Sequence, residues 1–243
     1  MKDFLQDLVA HTHSLGFLPL VKITADSKET LIESMAEDRS VIVSATSKSP
    51  VGDFEGTFGM PNLNKLDLHL KCPEYKENAK INVVIANRNG EDIPTGLHFE
   101  NQAGDFINDY RFMNQDIINE KLKSVKFKGA KWDIEFEPTM AAIQRLKFQA
   151  AAHSEESVFQ VKTENDNLVV SFGDASTHAG NFTFHPGVTG KLKGTWSWPV
   201  AQVQSILNLA GDVTMRISDA GAMQITVDSG IAEYNYILPA QSK

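Results

Sequence analysis

The sequence predicts an α+β protein made of two copies of one domain, each with two helices packed against an antiparallel β-sheet. A ten-residue pattern occurs twice, as GDFEGTFGMP at 52–61 and GKLKGTWSWP at 190–199, so that Gly52 matches Gly190 and Pro61 matches Pro199. Each copy leads into an amphipathic stretch, and the predicted elements follow in the same order in both halves. Two amphipathic helices can cover only one face of such a sheet, which is the layering of an α+β fold.

Two weaker repeats also indicate a duplicated domain. His13-Ser14 and Val21-Lys22 recur as His153-Ser154 and Val161-Lys162, with an offset two positions longer than that of the Gly52–Gly190 match. INDYRF at 107–112 resembles AEYNYIL at 232–238, with a shorter offset. The first half is therefore expected to hold about a dozen additional residues, and a period of this length is far too long for a solenoid repeat.

The first half begins with a helix over roughly residues 2–13, because its apolar residues share one face. These residues are Phe4, Leu5, Leu8, Val9 and Thr12. Four strands follow, since the next runs are rich in β-branched and aromatic residues and are bounded by polar or Gly/Pro turns. The four runs are FLPLVKIT, ETLIESM, SVIVSA and FEGTF.

A second helix is predicted over about 61–71. Pro61 suits the first helical position, where its missing N–H costs nothing. Leu63, Leu66 and Leu70 recur at helical spacing behind it. KINVVIA, GLHFEN and INDYRF then predict three more strands and complete the first half.

The second half repeats this order. A short strand, WDIEF, precedes a helix over about 138–152 that starts at Pro138, and Pro199 opens the last helix. The other runs predict strands and are SVFQVKT, NLVVSF, GNFTF, KLKGTWSW, VTMRIS, MQITVD and AEYNYIL. The stretch 113–131 is too polar for a core and is predicted to be extended. We therefore expect domains at 1–112 and 132–243 joined by a connector at 113–131.

Composition limits the possible classes of function. The net charge of −8 argues against a protein that coats nucleic acid with its whole surface, although a local basic strip is compatible with it. The single cysteine, Cys72, rules out an intramolecular disulfide and a cysteine-based zinc site. The N-terminus has no apolar signal-peptide core and no apolar run approaches ~20 residues, so a cytoplasmic protein without a membrane span is expected.

The sequence carries no motif for catalysis, a cofactor or a metal. Neither a GxGxxG pattern nor a Walker loop occurs in it. His11 and His13 lie two positions apart on the predicted helix and do not face the same way, so they are poorly placed to share a metal ion. We therefore expect a non-enzymatic protein with no cofactor and no metal.

The predicted outward helix faces are mildly basic or uncharged. Gln149 and Arg145 are expected to face outward on the third helix, whereas Asp3 and Asp7 are expected on the outward face of the first. The last helix presents only uncharged polar residues, namely Gln202, Gln204, Ser205 and Asn208. Phosphate contacts are electrostatic and independent of sequence, so such faces would attract a DNA duplex but bind it only weakly. The alternative is that these are ordinary solvated helix faces.

In organisation the chain resembles the DNA sliding clamps, and most closely the two-domain clamps of T-even-type phages. The stretches that carry the resemblance are GTFGMPNLNKLDLHL, GTWSWPVAQVQSILNLAG with VTMRIS, and the terminal AEYNYILPA. The resemblance implies a head-to-tail homotrimeric ring that encircles double-stranded DNA, with helices lining the hole and strand edges pairing between subunits. It also implies a processivity factor that tethers the replicative DNA polymerase, is loaded by a clamp-loader ATPase, and works in the host cytoplasm if it is phage-encoded.

The resemblance also assigns site residues. Those expected to contact DNA phosphates are Lys2, Lys65, His69, Lys71, Arg145 and Lys147. Those expected to line an apolar pocket for a partner peptide, beside the connector and the C-terminal strand, are Val125, Phe127, Ile237, Leu238 and Pro239. Phe127 and Ile237 could equally belong to the core.

Two other functions remain open. One is a duplicated β-rich binding or structural protein, such as a virion component or a carbohydrate binder that uses Trp132, Trp196 and Trp198. The other is a hydrolase with an unrecognised carboxylate site. Tryptophans in strands next to a helix start are more often core or interface residues than sugar platforms.

Overall fold

Alternating burial along the strands and helical spacing of apolar residues organise the chain into two compact units. The computed structural model describes residues 1–88, 90–123, 127–174, 176 and 178–241. The first unit comprises Met1–Lys126 with Ser229–Tyr234, and the second comprises Phe127–Asp228 with Asn235–Lys243. No helix in the described part of the chain is both long and apolar enough to cross a membrane.

The first unit contains three α-helices and seven complete strands in its described residues. The helices are α1 (Lys2–His11), α2 (Leu63–Lys71) and α3 (Gln115–Lys121). The strands are β1 (Val21–Ala25), β2 (Thr30–Met35), β3 (Ile42–Ser47), β4 (Gly56–Met60), β5 (Lys80–Arg88), β6 (Glu91–Glu100) and β7 (Ile107–Arg111). β4, β1, β2 and β3 are neighbours in that order, and β5, β6 and β7 form a separate sheet. All these pairings are antiparallel.

The second unit has two helices and the remaining strands. The helices are α4 (Met140–Ala152) and α5 (Val200–Leu207). The strands are β8 (Ile134–Phe136), β9 (Val158–Glu164), β10 (Asn167–Phe172), β11 (Gly180–His185), β12 (Trp196–Pro199), β13 (Asp212–Ser218), β14 (Ala222–Asp228) and β15 (Ala232–Pro239). β11, β10, β9 and β12 form one antiparallel sheet, whereas β13 pairs with both β14 and β8. The first three residues of β15 belong to the first unit.

The predicted α+β architecture is confirmed, with small shifts at the helix starts. α2 begins at Leu63, two residues after Pro61, because Asn62 adopts a left-handed conformation and serves as the N-cap. α4 begins at Met140, where the Thr139 hydroxyl accepts a hydrogen bond from the Ala142 amide. Pro199 ends β12 and is the N-cap of α5.

The connector was predicted to be extended, and this was wrong for one part of it. Residues Gln115–Lys121 form α3, whose N-cap Asn114 accepts a hydrogen bond of 3.0 Å from the Ile117 amide. Ile118 is fully buried against Gly59 of β4, where an added Cβ would lie only 2.9 Å from the Ile118 side chain. The packing of Ile118 on Gly59 therefore holds this helix against β4 within the first unit.

In the structure, a single sequence register relates the first two paired strands of one half to those of the other. Val21 of β1 pairs with Met60 of β4, and Phe159 of β9 pairs with Trp198 of β12. Both strands of the pair therefore follow the Gly52–Gly190 register, in which Val21 corresponds to Phe159. The match of Val21-Lys22 to Val161-Lys162 was wrong by two positions, a shift that keeps the same alternation of buried and exposed residues.

Candidate nucleic-acid interface and partner groove

In the first unit, α1 packs against α2, and the buried leucines of α2 leave its cations on the opposite face. Lys65 and Lys71 are both exposed. The Lys71 ammonium lies 2.6 Å from the Asp67 carboxylate one turn earlier. Such an exposed pair contributes little to stability, so Lys71 can exchange this partner for a phosphate at small cost.

His69 is placed differently from the two lysines. Its ring is half-buried, with its centroid 5.1 Å from that of Phe99. Burial lowers the pKa of the His69 imidazole, and the positive charge of Lys65 lowers this pKa further. His69 is therefore neutral at pH 7 and packs against the sheet, so it adds no positive charge to this helix face.

Two charged residues of α1, Lys2 and Asp7, are engaged in hydrogen bonds within the first unit. The Lys2 ammonium donates hydrogen bonds to the carbonyl oxygens of Tyr75 and Lys76, at 2.6 and 3.0 Å. Asp7 was expected to face outward, but its side chain is only 9% exposed and accepts hydrogen bonds from the Tyr234 and Ser229 hydroxyls. Asp3 is thus the carboxylate that α1 presents to solvent.

In the second unit, α4 carries two cations and no carboxylate. Ala142, Ile143 and Leu146 form its buried face, and Arg145 is exposed. None of the salt bridges among the described residues involves Arg145. Lys147 is half-buried and lines a groove of about 750 Å³ whose other wall is α5.

Gln149 does not lie on the outward face of α4. Its Oε1 is buried, has no hydrogen-bond partner in the described part of the chain, and would be 2.4 Å from a Cβ added to Gly180 of β11. The outward position next to it is instead taken by Phe148, whose side chain is 71% exposed. Sequence reasoning missed Phe148 because an apolar residue in an amphipathic helix is ordinarily assigned to the buried face.

The residues expected to line the partner pocket differ in their exposure to solvent. Val125 lies outside the described residues. Phe127 is half-buried, with its ring 6.0 Å from that of Trp132. Ile237 and Leu238 are buried, at 6% and 0% exposure, whereas Pro239 is exposed. Of the four described residues, only Phe127 and Pro239 offer appreciable surface to a partner.

A groove of about 470 Å³ lies beside the connector helix within the first unit. Its apolar lining residues are Pro19, Leu20, Met35, Ala36, Pro61, Met113 and Leu122. Charged and polar side chains at the groove are Glu37, Arg39, Asn62 and Lys121. Sequence reasoning missed this groove because its walls come from separate parts of the chain, which only the fold brings together.

The tryptophans do not form a platform for stacking sugars. Trp198 is fully buried and donates a hydrogen bond of 3.1 Å to the Leu238 carbonyl oxygen. Trp196 and Trp132 are half-buried, the first beside Asp219 and the second stacked on Phe127. The described residues also contain no group of three or more His, Cys, Asp or Glu side chains placed to hold a metal ion.

Comparison with known proteins identifies the fold. No protein-family model matches the sequence, and no curated protein matches it in sequence. Among solved structures, A. fulgidus PCNA bound to the C-terminal region of FEN-1 has a TM-score of 0.68 and 12% identity, covering 100% of this chain and 95% of that one. Thermococcus kodakaraensis PCNA has a TM-score of 0.67 and 12% identity, covering 99% and 97%. The chain therefore has the two-domain α+β clamp fold of PCNA over its whole length.

Proposed function

We propose that this chain is one subunit of a sliding clamp that encircles double-stranded DNA and tethers the replicative DNA polymerase as a processivity factor. The observation that carries the proposal is the clamp fold, which extends from one end of the chain to the other at a TM-score of 0.68. A clamp-loader ATPase would open and close the ring on DNA. The protein itself performs no catalysis in this proposal and works in the cytoplasm, which is that of the host if the protein is phage-encoded.

The charge pattern suits a ring that holds DNA by topology. The chain has a net charge of −8, yet α4 carries Arg145 and Lys147 without a carboxylate and α5 carries no charge. Weak, sequence-independent phosphate contacts suffice when the duplex cannot leave the ring. Topological linkage also raises the effective concentration of a bound polymerase at its template, so a modest polymerase contact is enough.

A head-to-tail homotrimer, as the resemblance to phage clamps implies, would use the free edges of two sheets. Within the described sheets, β7 and β11 are edge strands. β7 pairs with β6 in an unbroken register, and Ile107 at its start is 53% exposed. β11 contains no Asp, Glu, Lys or Arg that would oppose pairing with another strand. A heterologous contact between two different edges can close into a ring.

β5 is the opposite edge of the first of these sheets, and β12, which has only four residues and ends in Pro199, is that of the second. We assign the subunit contact to β7 of one protomer and β11 of its partner, because β7 pairs with β6 in an unbroken register and β11 carries no charged side chain.

The partner-peptide site of the proposed clamp lies by the connector. The 470 Å³ groove is lined by seven apolar and four polar or charged residues, and its volume is that of an ordinary ligand-binding cleft. A peptide carrying apolar anchors is the chemistry that fits the groove. Phe127 and Pro239, expected from the clamp resemblance, belong to the second unit and are a second candidate surface for the same peptide.

Topological binding is the property that separates a clamp from other DNA-binding proteins. The purified protein would be incubated with linear duplex DNA, and both ends would then be blocked by bulky end-labels. On blocked DNA the ring should be retained through a wash at high salt, whereas on DNA with free ends it should slide off. Equal loss from both DNAs would mean that binding is chemical, and would overturn the proposal.

Native mass spectrometry of the same sample provides an independent check. The proposal requires three copies per particle, and an image of the particles should show a closed annulus. A protein that stays monomeric at high concentration could not encircle DNA as proposed.

A further inference from the structure

An aromatic side chain stands on the exposed face of α4 beside its arginine. Phe148 is 71% exposed, which makes it the most exposed of the large apolar residues in the described part of the chain. Building on the proposed clamp function, we infer that Phe148 packs on the sugar and base edges of the encircled duplex, next to a phosphate held by Arg145.

The residues around Phe148 would let a duplex approach α4 closely. Ala141, Arg145, Phe148 and Ala152 follow one another at intervals of three or four residues, and all four are exposed. Such residues form one stripe along a helix. Two of the four are alanines, so Arg145 and Phe148 are the long side chains that project from this stripe.

Charge complementarity identifies DNA as the occupant of this face. α4 contains no carboxylate, and none of the salt bridges among the described residues involves Arg145. Residues three apart on a helix have Cβ atoms about 5–6 Å from each other. With the Arg145 guanidinium on a phosphate, the Phe148 ring would reach the adjacent sugar.

The fold itself does not require an aromatic residue at this position. In the Gly52–Gly190 register, Phe148 corresponds to Ala10 of α1, just as the buried Ile143 and Leu146 correspond to Leu5 and Leu8. Ala10 is also exposed. The same helix in the first unit thus packs with only a methyl group at the site where α4 has a phenyl ring.

An apolar contact and a phosphate contact differ in their dependence on salt. A cation that binds a phosphate releases condensed counterions, so each contact adds about 0.9 to the slope of log affinity against log salt. A phenyl ring on a sugar releases no ions. Its removal should lower affinity by the same factor at every salt concentration.

The test measures binding of a short fluorescent duplex by anisotropy at several salt concentrations, with the intact oligomer. Phe148→Ala should weaken the affinity by about threefold to tenfold, with the slope unchanged. Arg145→Ala should lower the slope by about 0.9 for each phosphate that the arginine binds. Met140→Ala is the matched control, because Met140 is 68% exposed on the same helix but lies at its first position, and it should bind like the parent.

The possible outcomes are distinct. If Arg145→Ala weakens binding and Phe148→Ala does not, the inference is overturned while the proposed clamp function stands. If Phe148→Ala instead changes the oligomer in sedimentation, Phe148 belongs to a subunit interface and the inference is again overturned. If the parent protein shows no measurable affinity for the short duplex at any salt concentration, the inference is overturned, whereas the proposed clamp function is decided by the retention of the ring on end-blocked DNA. Circular dichroism of each variant checks that it folds.

Discussion

The hydroxyl of Tyr234 donates a hydrogen bond of 2.8 Å to the carboxylate of Asp7, 227 positions earlier in the sequence. The same carboxylate accepts a hydrogen bond of 3.0 Å from the Ser229 hydroxyl. The His11 ring lies 3.2 Å from its other oxygen and stacks on Tyr234 with centroids 4.5 Å apart. The segment Ser229–Tyr234 is thereby anchored to α1 within the first unit. The contact exists because a mostly buried carboxylate needs several hydrogen-bond donors.

Loss of the Tyr234 hydroxyl should destabilise the first unit. Tyr234→Phe removes a hydrogen bond to a charged group, which contributes about 1.5–3 kcal/mol, and leaves the carboxylate short of a donor. Tyr110→Phe is the matched control, because the Tyr110 hydroxyl donates to the Pro61 carbonyl oxygen, a neutral acceptor, and should cost only about 0.5–1.5 kcal/mol. Urea unfolding followed by circular dichroism measures both. Equal losses in the two variants would contradict a charged Asp7 at this site.

Charge reversal on α4 should weaken the proposed DNA contact without affecting assembly. Arg145→Glu with Lys147→Glu places two carboxylates where phosphates would approach, and polymerase stimulation should fall several-fold because like charges repel. Lys191→Glu, an exposed lysine elsewhere in the same unit, is the control. Primer extension by the cognate polymerase with its loader measures the effect, and native mass checks the ring. Unchanged stimulation would remove both residues from the set of phosphate contacts.

The pKa of His69 makes stability depend on pH. Above pH 6.5, the ordinary value, both folded and unfolded states hold a neutral imidazole, so the contribution to stability is constant. Below it the unfolded state binds a proton first, because burial lowers the folded pKa, and stability falls until the pH drops below that folded value. The free energy of unfolding should therefore decrease less between pH 7.5 and 5.5 in His69→Gln than in the parent.

A second variant separates the two causes of this shift. Lys65→Gln removes the smaller cause and leaves burial in place, so the pKa of His69 should move only part of the way back towards 6.5. Titration of the His69 ring protons by NMR measures this directly. A pKa at or above 6.5 in the parent protein would contradict the whole account.

The groove beside the connector can be tested apart from the C-terminal strand. Met35→Lys introduces a charge into the apolar lining and should abolish binding of a polymerase-derived peptide, because a buried charge opposite apolar anchors is costly to desolvate. Pro239→Glu is the paired variant, since Pro239 is exposed on β15. Fluorescence anisotropy of the labelled peptide measures both. If only Pro239→Glu loses binding, the peptide site lies at the C-terminal strand and the groove plays no part.

The sequence determined the elements of this protein. The duplicated GDFEGTFGMP and GKLKGTWSWP patterns predicted two similar domains, and the apolar spacing predicted four of the five helices because periodicity is a local property that survives without tertiary contacts. It also identified the exposed cations Lys65 and Arg145. The fifth α-helix, α3, was not predicted, because its segment is polar and its buried residue, Ile118, packs on Gly59, which lies far away in the chain.

The tertiary structure decided which side chains reach solvent and which register relates the two halves. The burial of Asp7 depends on Tyr234, the lowered pKa of His69 depends on its burial beside Phe99, and the Gly52–Gly190 register of the strands depends on their pairing. Each of these properties depends on contacts between residues that lie far apart in the chain. Local pattern carries no information about such contacts, because a slip of two residues leaves the alternation of a strand unchanged while it replaces every partner.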